Sequence, residues 1–257
     1  MADLAILRAV PPSITRCEIS FIGRAPIDYE RAVAQHAAYA TLLRELGLEV
    51  VELPANPALP DCCFVEDIAV VLDEIAIVTM PGAASRRGEI PAVEQALRRW
   101  RLVSRVELPA TLEGGDVLRL GRTLFVGLSR RTNRAGVARL RELSEPHGYR
   151  VVPVTVTGCL HLKSAVTALD ERRVLMNPEW LEIVPFDGLE RVLVAPEEPG
   201  AANVLRVRGT VVAHPGFPRT LERIEAAGLD VRPLDISEFL RAEAALTCKS
   251  LLLRRQA

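Results

Sequence analysis

The sequence predicts an α/β fold built from five repeated hairpin–helix–strand units arranged around an axis. Two observations support it. Short apolar strands opened by polar residues recur along the 257-residue chain, and one polar landmark in each stands at a near-constant distance from the next. The landmarks are Glu66, Glu113, His161, Asn203 and Cys248, at intervals of 47, 48, 42 and 45 residues. Such spacing is typical of repeated supersecondary units. An open α/β sheet with coincidental spacing is the alternative.

Each unit is predicted to start with a β-hairpin. The first strands lie in the stretches FVEDIAVVL, LEGGDVLRL, LHLKSAVTAL, AANVLRVRG and LTCKSLLLR. In the first four units a second β-rich run follows after a few residues: IAIVTMPG, TLFVGLS, RRVLMNP and TVVAHPG. Two β-rich runs joined by so short a connection indicate a hairpin.

Helices and returning strands complete the units. Apolar residues at helical spacing occur in EIPAVEQALRRW, RAGVARLRELSEPHG and RTLERIEAAG, and strands return in VSRVELPA, YRVVPVTVT and LDVRPLDI. Near the N-terminus, DYERAVAQHAAYATLLRELG predicts a long helix that ends at Gly47, before the strand LEVVELPA. Five units around an axis bring the five landmarks together, so we expect a shared site there.

Composition excludes several classes of partner. The net charge is −1, which gives no electrostatic reason to bind nucleic acid or an anionic membrane. No apolar run approaches the ~18–20 residues that span a bilayer, and the N-terminal apolar stretch is too short for a signal-peptide core. We expect a cytoplasmic protein.

Cysteine usage fits that location. The five cysteines are odd in number, and two of them, Cys62 and Cys63, are adjacent; this argues against a disulfide framework. The chain has no CxxC or HExxH pattern for a metal and no glycine-rich nucleotide motif. We expect no metal and no cofactor.

Each landmark alone has an ordinary structural explanation. A free cysteine such as Cys248 is often a small buried apolar residue, and His161, between two leucines, suits a satisfied core histidine. Glu113 could belong to a turn, and Glu66 to a solvated strand start. The combination is different, because cysteine, histidine and carboxylate together form a constellation for nucleophilic catalysis.

The charged residues around the landmarks indicate a substrate with charges of both signs. A surplus of carboxylates, at Asp61, Glu66, Asp67 and Glu113, suggests a cationic ligand. Arginine clusters follow two of the second strands, in SRRGE and SRRTNR. They could bind a carboxylate through a bidentate fork, or they could be solvated loop charge.

Seven stretches resemble the dimethylarginine dimethylaminohydrolase family of the pentein, or guanidino-group-modifying, superfamily: LPDCCFVED, PGAASRRGE, EGGD, FVGLSRRTN, LHLKS, AAN and LTCKSLL. The resemblance covers about residues 4 to 254. It implies a five-fold pseudosymmetric α/β propeller, a single catalytic domain over residues 1–257, and hydrolysis of Nω-methylated arginine to citrulline and a methylamine without metal or cofactor.

The resemblance also implies catalytic roles. Cys248 matches the nucleophile that attacks the guanidinium carbon and forms a covalent thiouronium. His161 matches the general acid that protonates the departing amine and then the base for the resolving water. Glu113 matches the carboxylate that holds the guanidinium and orients His161.

Other matched residues would bind the small guanidino amino acid. Glu66 and Asp67 match the family's substrate-binding pair, with Asp67 as the guanidinium contact. Asp61 matches the residue that receives the α-amine. Arg86 and Arg131 match the arginines that bind the α-carboxylate.

Two stretches depart from the family pattern. The Asp-Gly that many members carry before the cysteine is replaced within AEAALTC, which puts in doubt a contact of the Ala242 carbonyl with the substrate amine. In the N-terminal lid, SITRCEIS places Glu18 or Ile19 where the family has a leucine. An acidic lid would suit a more basic substrate.

Two other functions therefore stay open. One is the same chemistry on another guanidine, as in an arginine deiminase or an amidinotransferase. The other is a non-catalytic pentein that binds a ligand or a partner protein. The sequence leaves monomer and homodimer equally open.

Overall fold

The computed structural model describes residues 2–255, which form five three-stranded sheets. Its strands in chain order are β1 (Leu4–Arg8), β2 (Glu49–Leu53), β3 (Ala69–Val71), β4 (Ile75–Val78), β5 (Leu102–Arg105), β6 (Val117–Leu120), β7 (Thr123–Leu128), β8 (Arg150–Thr155), β9 (Val166–Ala168), β10 (Arg173–Met176), β11 (Glu190–Leu193), β12 (Leu205–Val207), β13 (Thr210–Ala213), β14 (Asp230–Pro233) and β15 (Leu251–Leu253). Its α-helices are α1 (Tyr29–Glu45), α2 (Ile90–Leu97), α3 (Arg134–Ser144), α4 (Leu162–Ala165), α5 (Pro218–Ala226) and α6 (Ser237–Leu240).

Every sheet, or blade, repeats one topology. Two strands pair antiparallel, as a hairpin in four blades and as strands distant in sequence in the fifth, and a third strand pairs in parallel with the middle one. The blades are β3–β4–β5, β6–β7–β8, β9–β10–β11, β12–β13–β14 and β15–β1–β2. The five hairpin–helix–strand units of the predicted propeller are confirmed. The third unit has only the short 3-10 helix Val184–Phe186 between its parallel strands.

The fifth blade joins the two ends of the chain. β1 pairs antiparallel with β15, where Ile6 faces Leu251, and it pairs in parallel with β2. All five residues of β1 are buried. Sequence analysis did not identify β1 as a strand, because a central strand buried on both faces lacks the alternating pattern of a half-exposed one.

The long N-terminal helix was predicted closely. α1 begins after Asp28, whose side chain accepts a 3.1 Å hydrogen bond from the Arg31 backbone N–H. It ends just before Gly47, which has φ +82°, a left-handed conformation that suits glycine. α1 packs its buried face, including Tyr39 and Leu43, into the core of the fifth blade.

The landmarks lie slightly farther from the strands than predicted. In four units a single helical turn stands between the landmark region and the first strand: Val65–Ile68, Gly114–Asp116, Leu162–Ala165 and Thr247–Lys249. Glu66 and Cys248 lie within these turns, whereas Glu113 and His161 immediately precede them. The turns gather the landmark residues around one end of the propeller axis.

Within residues 2–255 every helix is too short or too polar to span a lipid bilayer.

The closing strand gives a first prediction. Ile6 is fully buried in the core between the fifth and first blades, so Ile6→Ala should lower the free energy of unfolding by ~2–5 kcal/mol through lost burial and a residual cavity. Urea denaturation followed by circular dichroism measures it. The control is Leu102→Ala in β5, where the side chain is 79% exposed and a change within ~0.5 kcal/mol is expected. Equal losses in the two variants would contradict the burial of β1.

Candidate active site

A small pocket lies where the landmark turns converge. Eight of the ten residues predicted for the site line it: Glu18, Asp61, Asp67, Arg86, Arg131, His161, Ala242 and Cys248. The remaining two, Glu66 and Glu113, lie behind this lining. The free space is about 20 Å³, which holds about one water molecule.

His161 and Glu113 form a buried ion pair on one side of the pocket. The His161 Nε2 lies 2.6 Å from Glu113 Oε2, and Glu113 is fully inaccessible to solvent. Burial alone would lower the pKa of His161, but Asp67 and Glu113 raise it to about 9. Burial would raise the pKa of Glu113, but the hydrogen bond and charge of His161 lower it to about 2. The imidazolium is thus the stable form near neutral pH.

Asp116 places His161 within the fold. Its carboxylate is fully buried and accepts hydrogen bonds from the Leu162 backbone N–H, at 2.9 Å, and the Ser129 hydroxyl, at 2.7 Å. The first bond fixes the start of α4, directly after His161. The EGGD stretch of the sequence did not by itself indicate this role for Asp116.

Asp67 is the carboxylate that faces the pocket. Its Oδ1 accepts the Gly115 backbone N–H at 3.0 Å and lies 3.9 Å from His161 Nδ1. Its Oδ2 accepts a hydrogen bond from Arg86. Arg86 also donates to Glu89, at 2.8 and 3.0 Å, and to the Phe64 carbonyl at 2.8 Å. The Arg86 guanidinium therefore has little donor capacity left for a ligand.

Cys248 occupies the floor of the pocket. The 3-10 turn Thr247–Lys249 carries it, and its Sγ accepts a 3.4 Å hydrogen bond from the Ala245 backbone N–H. Burial, together with the charges of Glu66 and Asp67, raises the pKa of the thiol to about 12. The thiol is therefore protonated near neutral pH, and a cation placed beside the two carboxylates would favour the thiolate.

Glu66 supports the turn that carries Cys248. One carboxylate oxygen pairs with Lys163, and the other accepts a 2.7 Å hydrogen bond from the Thr247 hydroxyl. Asn203, the fourth landmark, donates to the Thr247 hydroxyl at 3.0 Å and accepts the Thr247 N–H at 3.1 Å. The sequence prediction missed Lys163. Its position two residues after His161 is the signal that could have identified it as part of the site.

Of the three residues predicted for the amino-acid end of a substrate, Asp61 and Arg131 are bonded to an N-terminal segment, and Arg86 is not. This segment, residues 17–24, is called the lid segment, and its Glu18 lines the pocket. Asp61 accepts the Glu18 backbone N–H with both carboxylate oxygens at 3.2 Å, and burial raises the pKa of Asp61 to about 6. Arg131 donates to the Ser20 hydroxyl at 3.1 Å and lies 3.4 Å from a Glu113 oxygen.

The two departures from the family pattern meet at the lid segment. Glu18 lines the pocket, and its carboxylate accepts a 2.6 Å hydrogen bond from the Ser85 hydroxyl, whereas Ile19 packs toward the core. On the facing loop, Ala242 is buried and Glu243 has φ +56°. The stretch AEAALTC lacks the glycine of the family pattern, and the non-glycine residue Glu243 adopts the left-handed conformation.

Three of the site residues could in principle hold a metal ion. Within residues 2–255, Asp67, Glu113 and His161 form one group whose ligand atoms lie within 4.8 Å of one another. A metal ligand histidine must be neutral, and the same carboxylates raise the pKa of His161 to about 9. Because Arg86 also neutralises Asp67, the trio fits an ion-pair network better than a metal centre.

Comparison with known proteins gives concordant matches in sequence and structure. A family model described as N,N dimethylarginine dimethylhydrolase, eukaryotic, matches residues 23–182. The chain is 39% identical to the N(G),N(G)-dimethylarginine dimethylaminohydrolase of Streptomyces coelicolor, over 97% of this chain and 96% of that protein.

Two solved structures share the whole fold. One is a cysteine-to-serine variant of the Pseudomonas aeruginosa dimethylarginine dimethylaminohydrolase complexed with citrulline: TM-score 0.92, 32% identity, covering 98% of this chain and 99% of that one. The other is a histidine-to-glycine variant of a dimethylarginine dimethylaminohydrolase, present as an adduct with S-methyl-L-thiocitrulline: TM-score 0.94, 32% identity, covering 98% and 100%.

The ion pair gives a prediction for stability against pH. The pKa of His161 is raised from 6.5 to about 9, so its contribution is complete below pH 6.5 and is lost as the pH rises through 9. The pKa of Glu113 is lowered from 4.5 to about 2, so its contribution is complete above pH 4.5 and is lost as the pH falls through 2. Glu113→Gln should therefore lower the free energy of unfolding most between pH 4.5 and 6.5, by ~3–5 kcal/mol.

Chemical denaturation at pH 5.5, 7.5 and 9.5 measures this difference. Glu179→Gln, at an exposed glutamate whose carboxylate has no hydrogen bond to residues 2–255, serves as the control and should follow the wild type at every pH. A Glu113→Gln deficit that stays constant from pH 5.5 to 9.5 would contradict the ion pair.

Proposed function

The chain belongs to the dimethylarginine dimethylaminohydrolase family, and we propose that it hydrolyses Nω-methylated arginine. Asymmetric dimethylarginine would give citrulline and dimethylamine, and monomethylarginine would give citrulline and methylamine. The observation that carries the proposal is the grouping of Cys248, the His161–Glu113 pair and Asp67 at one small pocket. The names of the relatives and the ligands of the solved structures support the same reaction.

Cys248 is proposed as the nucleophile. Burial and the charges of Glu66 and Asp67 raise the pKa of the thiol to about 12. A methylated guanidinium beside Asp67 would offset those charges and lower that pKa, so that the thiol would release its proton to water and leave the thiolate. The sulfur would then bond to the central guanidinium carbon. Carboxylate contacts on the N–H groups would fix the guanidinium plane against the sulfur, which supplies orientation as well as charge neutralisation.

His161 is proposed as the acid and then the base. With a pKa of about 9 it holds a proton at neutral pH, which it would give to the nitrogen of the departing amine as the carbon–nitrogen bond breaks. The neutral imidazole would next accept a proton from the water that attacks the thiouronium carbon, and the carbon–sulfur bond would then break. Glu113, fully buried, would act by holding His161 rather than by touching substrate. This scheme requires no metal or cofactor.

The amino-acid end of the substrate is assigned to the mouth of the pocket. Asp61 would take the α-amine and Arg131 the α-carboxylate, each in exchange for its bond to the lid segment. Arg86 was expected to share the α-carboxylate. Because its donors already serve Asp67, Glu89 and Phe64, we assign the main carboxylate contact to Arg131, with Arg86 adding positive charge.

We also propose that the protein is a single catalytic domain that works in the cytoplasm, as a monomer or a homodimer. All five cysteines are free thiols, which is typical of a reducing compartment, and the proposed mechanism needs a reduced Cys248.

The first functional test is product formation. The wild type should release citrulline and dimethylamine from asymmetric dimethylarginine, and Cys248→Ser should lower kcat by roughly 10³-fold or more. A Cys248→Ser protein with full activity would rule out the mechanism. Ammonia release from free arginine, without dimethylamine formation, would instead favour an arginine deiminase.

The second test separates formation of the intermediate from its breakdown. S-Methyl-L-thiocitrulline loses methanethiol, a leaving group that depends less on an acid. His161→Gly should therefore still form the covalent adduct at Cys248 but hydrolyse it slowly. Intact-protein mass spectrometry should show the adduct accumulate in His161→Gly and not in Cys248→Ser. Rapid adduct turnover in His161→Gly would contradict the proposed base.

The third test concerns substrate binding. Arg131→Ala should raise KM by roughly 10- to 100-fold with a smaller change in kcat, because a charge-assisted contact to the α-carboxylate is lost. Arg139→Ala is the matched control, because among the described residues this surface arginine of α3 pairs only with Glu142. Steady-state kinetics with asymmetric dimethylarginine measure both variants. A fall in kcat with KM unchanged would refute the binding role of Arg131.

A further inference from the structure

Glu243 joins the loop before Cys248 to the lid segment. Its carboxylate accepts hydrogen bonds from three consecutive backbone N–H groups, those of Ser20 and Phe21 at 2.6 Å and of Ile22 at 3.2 Å. Successive N–H groups that converge on one point form an anion-binding concavity. Hydrogen bonds to a charged acceptor are also the stronger kind.

The backbone of Glu243 is in an uncommon conformation. Its φ is +56°, in the left-handed region that residues other than glycine and asparagine rarely adopt. The neighbours Ala242 and Ala244 are buried, so the loop is fixed on both sides of this residue. A strained backbone position whose side chain bonds to a distant segment is the kind of outlier from which a function can be inferred.

The same part of the lid segment buries little apolar surface. Phe21 and Ile22 are 41% and 43% exposed. The ring of Phe21 lies 5.3 Å from the Arg130 guanidinium, a contact of modest strength at an exposed site. The carboxylate of Glu243 is thus the strongest attachment of residues 20–22 among the described contacts.

Two other polar attachments of the lid segment use groups assigned to the substrate, whereas the bond of the Glu18 carboxylate to the Ser85 hydroxyl does not. Asp61 holds the Glu18 N–H, and Arg131 holds the Ser20 hydroxyl. Under the proposed function the α-amine and the α-carboxylate compete for these two side chains. A bound substrate would therefore loosen the lid segment just when the lid segment must cover the pocket. The bonds between Glu243 and the lid segment do not compete with the substrate.

We propose that Glu243 is a positioning residue that anchors the lid segment over the pocket and keeps it there when substrate displaces it from Asp61 and Arg131. The anchoring itself rests only on the geometry of the unliganded chain. Its part in catalysis rests on the proposed function. The two parts are tested by different measurements.

The first measurement tests the anchoring of the lid segment and does not depend on enzymatic activity. Glu243→Gln keeps the shape of the side chain without its charge, and Glu243→Gly removes the side chain while suiting the left-handed backbone. In both, trypsin cleavage after the exposed Arg24, located by peptide mass spectrometry, should accelerate roughly tenfold or more. Alkylation of Cys248 by iodoacetamide should accelerate in parallel.

The matched control is Glu197→Gln, at an exposed glutamate with no hydrogen bond or ion pair in the described residues. It should be cleaved and alkylated at the wild-type rate. The melting temperature of Glu243→Gly should equal or exceed that of the wild type, which separates a local loss of anchoring from general unfolding. Wild-type cleavage rates in both Glu243 variants would overturn the anchor.

The second measurement is kinetic. Both Glu243 variants should show KM for asymmetric dimethylarginine raised roughly tenfold, with the pH dependence of kcat set by His161 unchanged. Faster cleavage with an unchanged KM would overturn the role of Glu243 with bound substrate. A wild type without hydrolase activity would refute the proposed function, and the cleavage rates would still decide the anchor.

Discussion

The architecture depends on one pairing, that of β1 between β15 and β2. Four blades are formed by continuous stretches of chain, but the fifth exists only when the two ends meet. Closing a long loop costs entropy that grows slowly with its length, and the complete burial of β1 offsets that cost. Once the ring is closed, the short turns before the first strands face one another. The pocket is therefore a consequence of closure.

Closure also concentrates negative charge at the axis. Four carboxylates are buried there, those of Glu66, Asp67, Glu113 and Asp116. Isolated buried charges are costly, so they persist only with hydrogen bonds and partners of opposite sign. Each has its own partner: Lys163, Arg86, His161, and the Ser129 hydroxyl with the Leu162 N–H. This arrangement raises the pKa of Cys248 and His161 together and prepares the pocket for a cation.

The sequence was sufficient for the repeat and for the gathering of the landmarks, because both depend on spacing along the chain. The same spacing predicted that Cys248 and His161 would lie close together, whereas Asp67 was assigned to the site through the family resemblance. It could not reveal features that arise only from contacts between distant segments. Features of this kind include the hydrogen bond of Arg86 to Glu89, the pairing of Lys163 with Glu66 and the left-handed backbone of Glu243. The hairpins were recognisable because their partners are near neighbours, whereas β1 pairs with a strand at the opposite end of the chain.

The position of Cys248 next to the closing strand has a consequence for protein synthesis. Only two residues separate the proposed nucleophile from β15, and β15 is the last strand of the ring. On the ribosome the first four blades emerge before either of them. A nascent chain therefore has neither a closed ring nor a thiol at the axis until both Cys248 and β15 have emerged. Truncated products would carry most of the fold's residues and no means of attacking a guanidinium.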